Sequence, residues 1–575
     1  MTRTSEQLLQ AGQAWLDGDP DSATRAELRA LMQKRDFIEL EQRLTPLTFG
    51  TAGLRGAVGA GSGRMNLAVV IRAAFGIACH FASQPGASAK PIVIAFDARP
   101  TSQGFAEATA AVLLAAGRSV VAFAEPSATP LAAFVGRELQ AVATIVVTAS
   151  HNPRPDNGYK VYGPDAVQIS APTDVELARQ IEGAPAAAVI PRIPVSFRAG
   201  AVAGLAMVGP ELLDSYFRAL ARAVPAGGAA RSLSIVHSAL HGVGSQPMLR
   251  TLSEAGFDNV HVVPEQAEPD GSFPTTAFPN PEEPGTLDLA LAEARRRRAE
   301  LLLVSDPDAD RLAAAARLDG ELCVLDGNQV GALLADYLLG SAAREPSPLV
   351  LSSVVSSPLV AALCQAHGAH YERTHTGFKW LWRAALALEA ETDLRFVFAY
   401  EEALGYSVFP AVRDKDGIAA GRALAELAAE LRARDASLFD RLYELYAAHG
   451  LWASAARNIV AIGSDASSRI SSALDRLVSG AVELGGERIA RSVDYRDRAA
   501  AAERRPWLGA AALVELELGS GARLFARPSG TEPKLKLYAH VRRDVTGRGS
   551  LGQDLEQARG FAAALLLELE RALAL

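Results

Sequence analysis

Four short apolar runs in this chain each end in a dense polar cluster, and that repeated arrangement limits the fold more than any other feature. Ala143–Val147 leads into Thr148-Ala149-Ser150-His151-Asn152-Pro153, and Leu301–Val304 into Ser305-Asp306-Pro307-Asp308-Ala309-Asp310-Arg311. Arg395–Ala399 leads into Tyr400-Glu401-Glu402, and Arg523–Ala526 into Arg527-Pro528-Ser529-Gly530-Thr531. Short apolar runs of this kind read as strands, and further candidates lie at Pro91–Phe96, Leu233–Val236 and Pro348–Leu351. Segments of helical period fall between them at Gln103–Ala116, Leu287–Arg298 and Ile418–Arg434. The class is therefore α/β, in which ligands bind outside the carboxyl ends of strands, where loops present side chains from a rigid frame. Four polar endings in one chain predict a shared cleft.

At 575 residues, 49% of them hydrophobic, the chain is too long for one core and predicts several domains of about 100–200 residues each. The formal charge of −8 argues against general affinity for nucleic acid or an anionic membrane, so any bound anion needs a local site. Cys79, Cys323 and Cys364 are far apart and odd in number, which gives no readable disulfide framework or thiolate metal site and fits a reducing compartment. The N-terminal segment reads as a helix with Leu8, Leu9, Trp15 and Leu16 on one side, without the features of a signal peptide. No apolar run is long enough to span a membrane, and the expected location is cytoplasmic. The Ala/Gly-rich stretch Gly183–Gly204 reads as a linker or surface excursion. Composition shifts again near Leu451–Ala461; beyond it "RLFARPSGTEPKLKLYAHV" reads as strand, polar loop and strand, and a Leu/Ala helix from Leu555 closes the chain.

The alternating carboxylates Asp306, Asp308 and Asp310 can converge on one hard cation through oxygen ligands. A calcium EF-hand would need Gly at the sixth position and Glu at the twelfth, where this chain has Arg311 and Arg317. Three carboxylates leave a magnesium ion open positions for water or a phosphate oxygen, and Arg311 beside them could hold that phosphate. Phosphate handling is suggested again by "FGTAGLRG" and "RPSGTEPK", where glycines let backbone N–H groups approach an anion and an arginine offers a planar fork. A plain turn fits either segment taken alone. The run Arg295–Arg298, near the end of a helical segment, reads as a solvated face.

Taken together, "TASHNP" with "NGYK", "DPDADR", "TGFK", "YEEALGY" and "RPSGTEPK", in this order, resemble the α-D-phosphohexomutase superfamily, particularly its phosphoglucomutase/phosphopentomutase-like branch. The resemblance spans Phe49 to Tyr538. It implies three similar mixed α/β domains plus a smaller α+β C-terminal domain around a central cleft, with boundaries expected at 1–205, 206–326, 327–452 and 453–575. It also implies a phospho-sugar mutase in which Ser150 carries the phosphoryl group and, with Asp306, Asp308 and Asp310, ligates Mg2+. Lys160 falls at the proton-transfer position, Arg55 would hold the transferring group, and His151 would support the serine loop. A serine hydroxyl is a weak nucleophile unaided, so a nearby cation and base are what this chemistry needs.

The same resemblance assigns Thr376, Gly377 and Lys379 to a sugar loop, Glu401 to the sugar hydroxyls and Lys415 to a phosphate. Arg527, Ser529, Gly530 and Thr531 would grip the phosphate that is not transferred. The implied intermediate is glucose 1,6-bisphosphate, and the expected partners are small sugar phosphates, with the chain a monomer or small homo-oligomer. Asp97 and Arg99 are expected to brace the serine loop, and "HGVG" and "FPNPEE" to shape loops. Ala403 stands where many hexomutases have Ser, which removes one hydrogen bond to the sugar, worth about 1 kcal/mol. The main reaction expected is interconversion of glucose 1-phosphate and glucose 6-phosphate, with phosphopentomutase or phosphomannomutase activity as the alternative. A sugar-phosphate-binding regulator on a dead scaffold would have lost Ser150 or an aspartate of the triplet, and a magnesium-dependent phosphatase would not need Arg527.

Overall fold

The computed structural model describes residues 3–49, 53–82, 84, 86, 89–198, 202–228, 231–341, 347–460, 466–478, 483–528 and 534–573. The chain divides into two compact units, Met1–Ala313 with Phe409–Arg422, and Ala314–Val408 with Ala423–Leu575.

The first unit opens with three helices, Ser5–Gly18, Ser22–Lys34 and Phe37–Leu44, the first held by a capping box between Thr4 and Gln7. Leu8, Leu16, Leu28, Leu40 and Leu44 form their common core. A six-stranded sheet follows in the order Leu54–Ala57, Asp156–Tyr162, Ala143–Val147, Ile92–Phe96, Val120–Ala122, Leu205–Met207. Ile92–Phe96 pairs in parallel with both of its neighbours, whereas Asp156–Tyr162 runs antiparallel to Ala143–Val147. All five residues of Ile92–Phe96 and of Ala143–Val147 are buried, which is why these runs are apolar throughout rather than alternating. In a second layer of the same unit, Ile235–Ser238 lies in parallel between Val260–Val262 and Leu301–Ser305.

The stretch 183–204, expected to be a linker or surface excursion, runs mostly exposed in its described residues but is anchored at a few points. Within 183–204, Ala187 and Ile190 are buried beside the helix Leu67–Ala82, and Phe197 stacks on Phe96 with ring centroids 5.9 Å apart. One aromatic anchor is enough to tie an Ala/Gly-rich stretch to a core, because burying a ring outweighs the weak local propensity of its neighbours. The strand Leu205–Met207 then extends the sheet along Val120–Ala122.

The second unit holds a four-stranded sheet in the order His370–Thr374, Pro348–Ser353, Arg395–Glu401, Gly405–Ser407, parallel except for the last pair. A six-stranded antiparallel sheet follows, with Leu451–Val460 paired along its whole length to Lys534–Arg543. The closing helix is Leu551–Leu573, with Leu555, Leu565, Leu566 and Leu569 among its buried residues. Among the described residues no helix is long and apolar enough to cross a membrane.

Candidate active site

Ser150 follows the strand Ala143–Val147 by three residues, at φ 52°, a left-handed conformation that is strained for a side chain with a Cβ. The surrounding loop is tied down by Arg99, which is buried and spends all five of its N–H groups. Its Nε donates to Asp97 Oδ2 at 3.2 Å, Nη2 to the carbonyls of Ser150 and Asn152 at 2.8 and 2.6 Å, and Nη1 to those of Pro153 and Asp156 at 2.9 and 2.8 Å. Asp97 in turn accepts from Thr148 Oγ1 at 2.7 Å, and Thr148 Oγ1 accepts from Ser150 N at 2.8 Å. The bracing expected of Asp97 and Arg99 is what the geometry places there. Ser150 Oγ donates to Asp306 Oδ2 at 2.9 Å and lies 3.2 Å from His151 Nδ1.

Asp306, Asp308 and Asp310 follow the strand Leu301–Ser305, are all buried, and bring one oxygen each within 4.8 Å of the others. The loop that carries them is pressed against "HGVG": a Cβ on Gly242 would lie 2.3 Å from Pro307 Cα, and Val243 N donates to Pro307 O at 2.9 Å. Thr129, the first residue of the helix Thr129–Glu138, donates through Oγ1 to Asp308 Oδ2 at 2.7 Å and through N to Asp308 O at 3.0 Å. Lys160 Nζ bridges Asp308 Oδ2 and Asp310 Oδ2 at 2.7 and 2.8 Å. Lys415 Nζ is 3.2 Å from Asp310 Oδ2 and 3.3 Å from Asp414 Oδ1, and Asp414 Oδ2 accepts from Tyr162 at 2.5 Å.

The remaining oxygens, Asp308 Oδ1 and Asp310 Oδ1, are buried without a hydrogen-bond partner among the described residues. Buried acceptors are rarely left so, and hard carboxylate oxygens are the donor set a divalent cation such as magnesium takes. The residues fit such an ion. Their electrostatics show the same need: burial and the charges of Asp308 and Asp310 push the Asp306 carboxyl well above the ordinary range. Burial works against the Lys160 ammonium, but the two carboxylates it bridges outweigh this and raise its pKa.

Around this centre, Arg55 Nη1 donates to Asn152 Oδ1 at 3.0 Å, while its Nε is buried without a partner among the described residues. Arg311 N donates to Asp306 Oδ1 at 3.0 Å, and its guanidinium lies 3.5 Å from Glu282. Burial and the cations Arg311 and Arg55 hold the His151 imidazole well below its usual pKa, and its ring stacks on Phe278. Phe278 and Glu282 belong to "FPNPEE", to which sequence reasoning gave only a loop shape. Thr129, Tyr162 and Asp414 were not singled out at all; each is an ordinary residue type whose partner lies far away in sequence.

In the second unit, Glu401 ends the strand Arg395–Glu401, and its Oε1 accepts from Gly377 N at 2.5 Å. Gly377 has φ 122°, which a residue with a side chain rarely adopts. Thr376 Oγ1 beside it is buried without a hydrogen-bond partner among the described residues, and Lys379 Nζ lies 5.4 Å from the Trp380 ring centroid. The neighbouring Glu402 is occupied otherwise, accepting from Ser353 and Ser356 at 2.9 and 3.2 Å. Arg527 Nη1 is buried without a partner among the described residues; burial first, then the cations Arg504 and Arg527, lower the pKa of His375 next to Thr376. Ser529, Gly530 and Thr531 lie outside the described residues.

Comparison with known proteins agrees with this geometry. Residues 46–187, 214–319 and 326–447 match the α/β/α domains I, II and III of phosphoglucomutase/phosphomannomutase, and residues 493–547 match its C-terminal domain. A phosphopentomutase of Homo sapiens is 33% identical over 562 residues, covering 92% of this chain and 90% of that protein. A phosphoglucomutase of Staphylococcus epidermidis is 32% identical over 508 residues, covering 86% of this chain and 91% of that protein. Among solved structures, the phosphoglucomutase parafusin of Paramecium shares the fold at a TM-score of 0.65 and 15% identity, over 91% of this chain and 96% of that one. With all four domains matched and relatives aligned along nearly its whole length, the chain belongs to the phosphoglucomutase/phosphomannomutase family of the α-D-phosphohexomutase superfamily, and is a phospho-sugar mutase, an intramolecular phosphotransferase.

Proposed function

We propose that this mutase interconverts glucose 1-phosphate and glucose 6-phosphate through a phosphoserine at Ser150 and a glucose 1,6-bisphosphate intermediate. The observation that carries this reading is Ser150 Oγ, 2.9 Å from Asp306 Oδ2 at the edge of a buried carboxylate triad bridged by Lys160. In the first half-reaction a sugar hydroxyl oxygen forms a bond to the phosphorus on Ser150 as the bond from phosphorus to Oγ breaks. The proton lost by that hydroxyl is balanced by one gained at Oγ; Lys160 is assigned to pass it, and His151, whose Nδ1 lies 3.2 Å from Oγ, to support the loop. In the second half-reaction the other phosphoryl group of the bisphosphate returns to Oγ. A magnesium ion on Asp306, Asp308 and Asp310 supplies charge neutralisation for the phosphoryl oxygens.

Arg55 and Arg311 are assigned to the transferring phosphate, where planar guanidinium groups match its oxygens. Lys415 is assigned to a phosphate as well, and its ammonium is already drawn into the triad by Asp310 and Asp414. Thr376, Gly377, Lys379 and Glu401 are assigned to the sugar, and Arg527 with Ser529, Gly530 and Thr531 to the phosphate that stays. The four family segments support division of the chain at 1–205, 206–326, 327–452 and 453–575.

A second reading, phosphopentomutase, is favoured by the 33% identical relative of that name and by Ala403, which offers the sugar no hydroxyl. Sites discriminate steeply when a missing substrate group strands a buried polar partner, so a pocket with fewer such partners accepts more sugars. The test is kcat/KM for glucose, mannose and ribose 1-phosphates. A higher value for glucose with measurable turnover of the others supports the first reading, and a higher value for ribose makes the second the better one. A glucose preference above about 10⁴-fold contradicts the relaxed pocket.

A further inference from the structure

The first unit has a pocket of about 540 Å³, lined by Lys90, Arg137, Glu138, Gln140, Asp165 and Arg413 among others. None of these residues belongs to the triad or to the serine loop. Its volume falls in the range of small-metabolite sites. Three cations reach it from three separate segments: the approach to the strand Ile92–Phe96, the last turn of the helix Thr129–Glu138, and the stretch before the helix Gly417–Arg432. Among the described residues, neither Lys90 nor Arg137 forms an ion pair. Arg413 Nη1 donates to the backbone carbonyl of Asp165 at 2.6 Å, and Asp165 Oδ1 accepts from Val167 N at 3.1 Å. Three cations against the carboxylates of Glu138 and Asp165 leave the lining net positive, and a dianion bound there would accept charge-assisted hydrogen bonds from the cations.

Three segments of this lining, those of Arg137, Arg413 and Asp165, also lead to the triad. The helix that ends at Arg137 begins at Thr129, which donates to Asp308. Two residues beyond Arg413, Lys415 reaches Asp310, and Asp414 between them holds Tyr162. Asp165 follows the strand Asp156–Tyr162, which carries Lys160. We propose that this pocket binds inorganic phosphate or the phosphate group of a small phosphate monoester, apart from the catalytic centre, and that its occupancy alters turnover through the elements that hold Asp308, Asp310 and Lys160. A ligand shifts such an equilibrium only by its differential affinity for two arrangements of those elements, so the coupling is measurable as an effect on rate.

The test is calorimetric titration of inorganic phosphate into the full chain at low ionic strength, in wild type, in Lys90→Glu/Arg137→Glu and in Arg527→Ala. One phosphate equivalent is expected to weaken by at least about tenfold in the double variant and to persist in Arg527→Ala. Turnover without added phosphate is expected to be unchanged in the double variant. Added phosphate, at saturating sugar phosphate, is expected to change the rate of wild type and to leave that of the double variant as it was. Should the double variant lose its cooperative unfolding, Lys90→Gln and Arg137→Gln singly are each expected to weaken the same equivalent. Phosphate binding of wild-type stoichiometry and affinity in these variants overturns the site, and identical rate responses in wild type and double variant overturn the coupling.

Discussion

Replacing Arg99 with lysine keeps the charge and removes the fork. The guanidinium satisfies Asp97 and the four carbonyls of Ser150, Asn152, Pro153 and Asp156 at once, using five donors. An ammonium has three, so at least two of these acceptors lose their partner. Each buried acceptor left unmet costs about 1–3 kcal/mol, and because Asn152, Pro153 and Asp156 are only half-buried the sum should fall near the lower end, roughly 2–3 kcal/mol. The loss is concentrated on the loop that holds Ser150 at φ 52°, a conformation that persists only while its surroundings enforce it. Misplacing a reacting atom by an ångström can lower a rate about 100-fold, so kcat should fall by about that factor while KM for the sugar phosphate changes little. The assays are steady-state kinetics together with urea unfolding, in which the first unit should show a lower midpoint. Wild-type kcat in Arg99→Lys would refute the bracing argument, even with a shifted midpoint.

Three further outcomes follow from neighbouring contacts. Gly242→Ala places a Cβ 2.3–2.7 Å from Pro307 backbone atoms, so the aspartate loop must move; magnesium affinity by titration should fall, and an unchanged affinity would contradict the contact. Thr129→Val removes the hydroxyl from Asp308 Oδ2, a hydrogen bond to a charged group worth about 1.5–3 kcal/mol, and should shift the magnesium dependence of turnover, with Thr129→Ser restoring it. Buried His237 and His540 are each lowered by desolvation to about 4, so between there and the ordinary value of 6.5 the unfolded chain binds more protons. Their stabilising effect is present above pH 6.5 and lost as the pH falls toward 4. It should cost about 2 kcal/mol per histidine at pH 5, read as a drop in unfolding midpoint from pH 7 to 5 that is smaller in His237→Gln.

Much of the catalytic centre was legible because its residues sit in runs. Ala143–Val147 has the bounds expected from its five apolar residues, and the alternation of Asp306, Asp308 and Asp310 is a local pattern that survives folding as a local cluster. What escaped was non-local. Thr129 meets Asp308 across 179 residues and Tyr162 meets Asp414 across 252, and no periodicity links such partners. The anchoring of the stretch 183–204 was hidden for the opposite reason: its composition is weak throughout, and its placement depends on Phe197 against Phe96, a contact invisible until the sheet exists. Glu401 and Glu402 are adjacent and chemically alike in sequence; only the fold separates them, turning one to Gly377 and the other to Ser353 and Ser356.

The central claim is that Ser150 carries the phosphoryl group, and intact-mass analysis of the full chain tests it most directly. After incubation with glucose 1,6-bisphosphate and magnesium, a fraction one phosphate heavier should appear, map to the peptide containing "TASHNP", and persist while excess glucose 1-phosphate is turned over, because each cycle returns a phosphoryl group to Oγ. Ser150→Ala should acquire no such label and lose turnover by several orders of magnitude while unfolding as wild type does. A phosphate found on another residue, or full turnover in Ser150→Ala, would contradict the account.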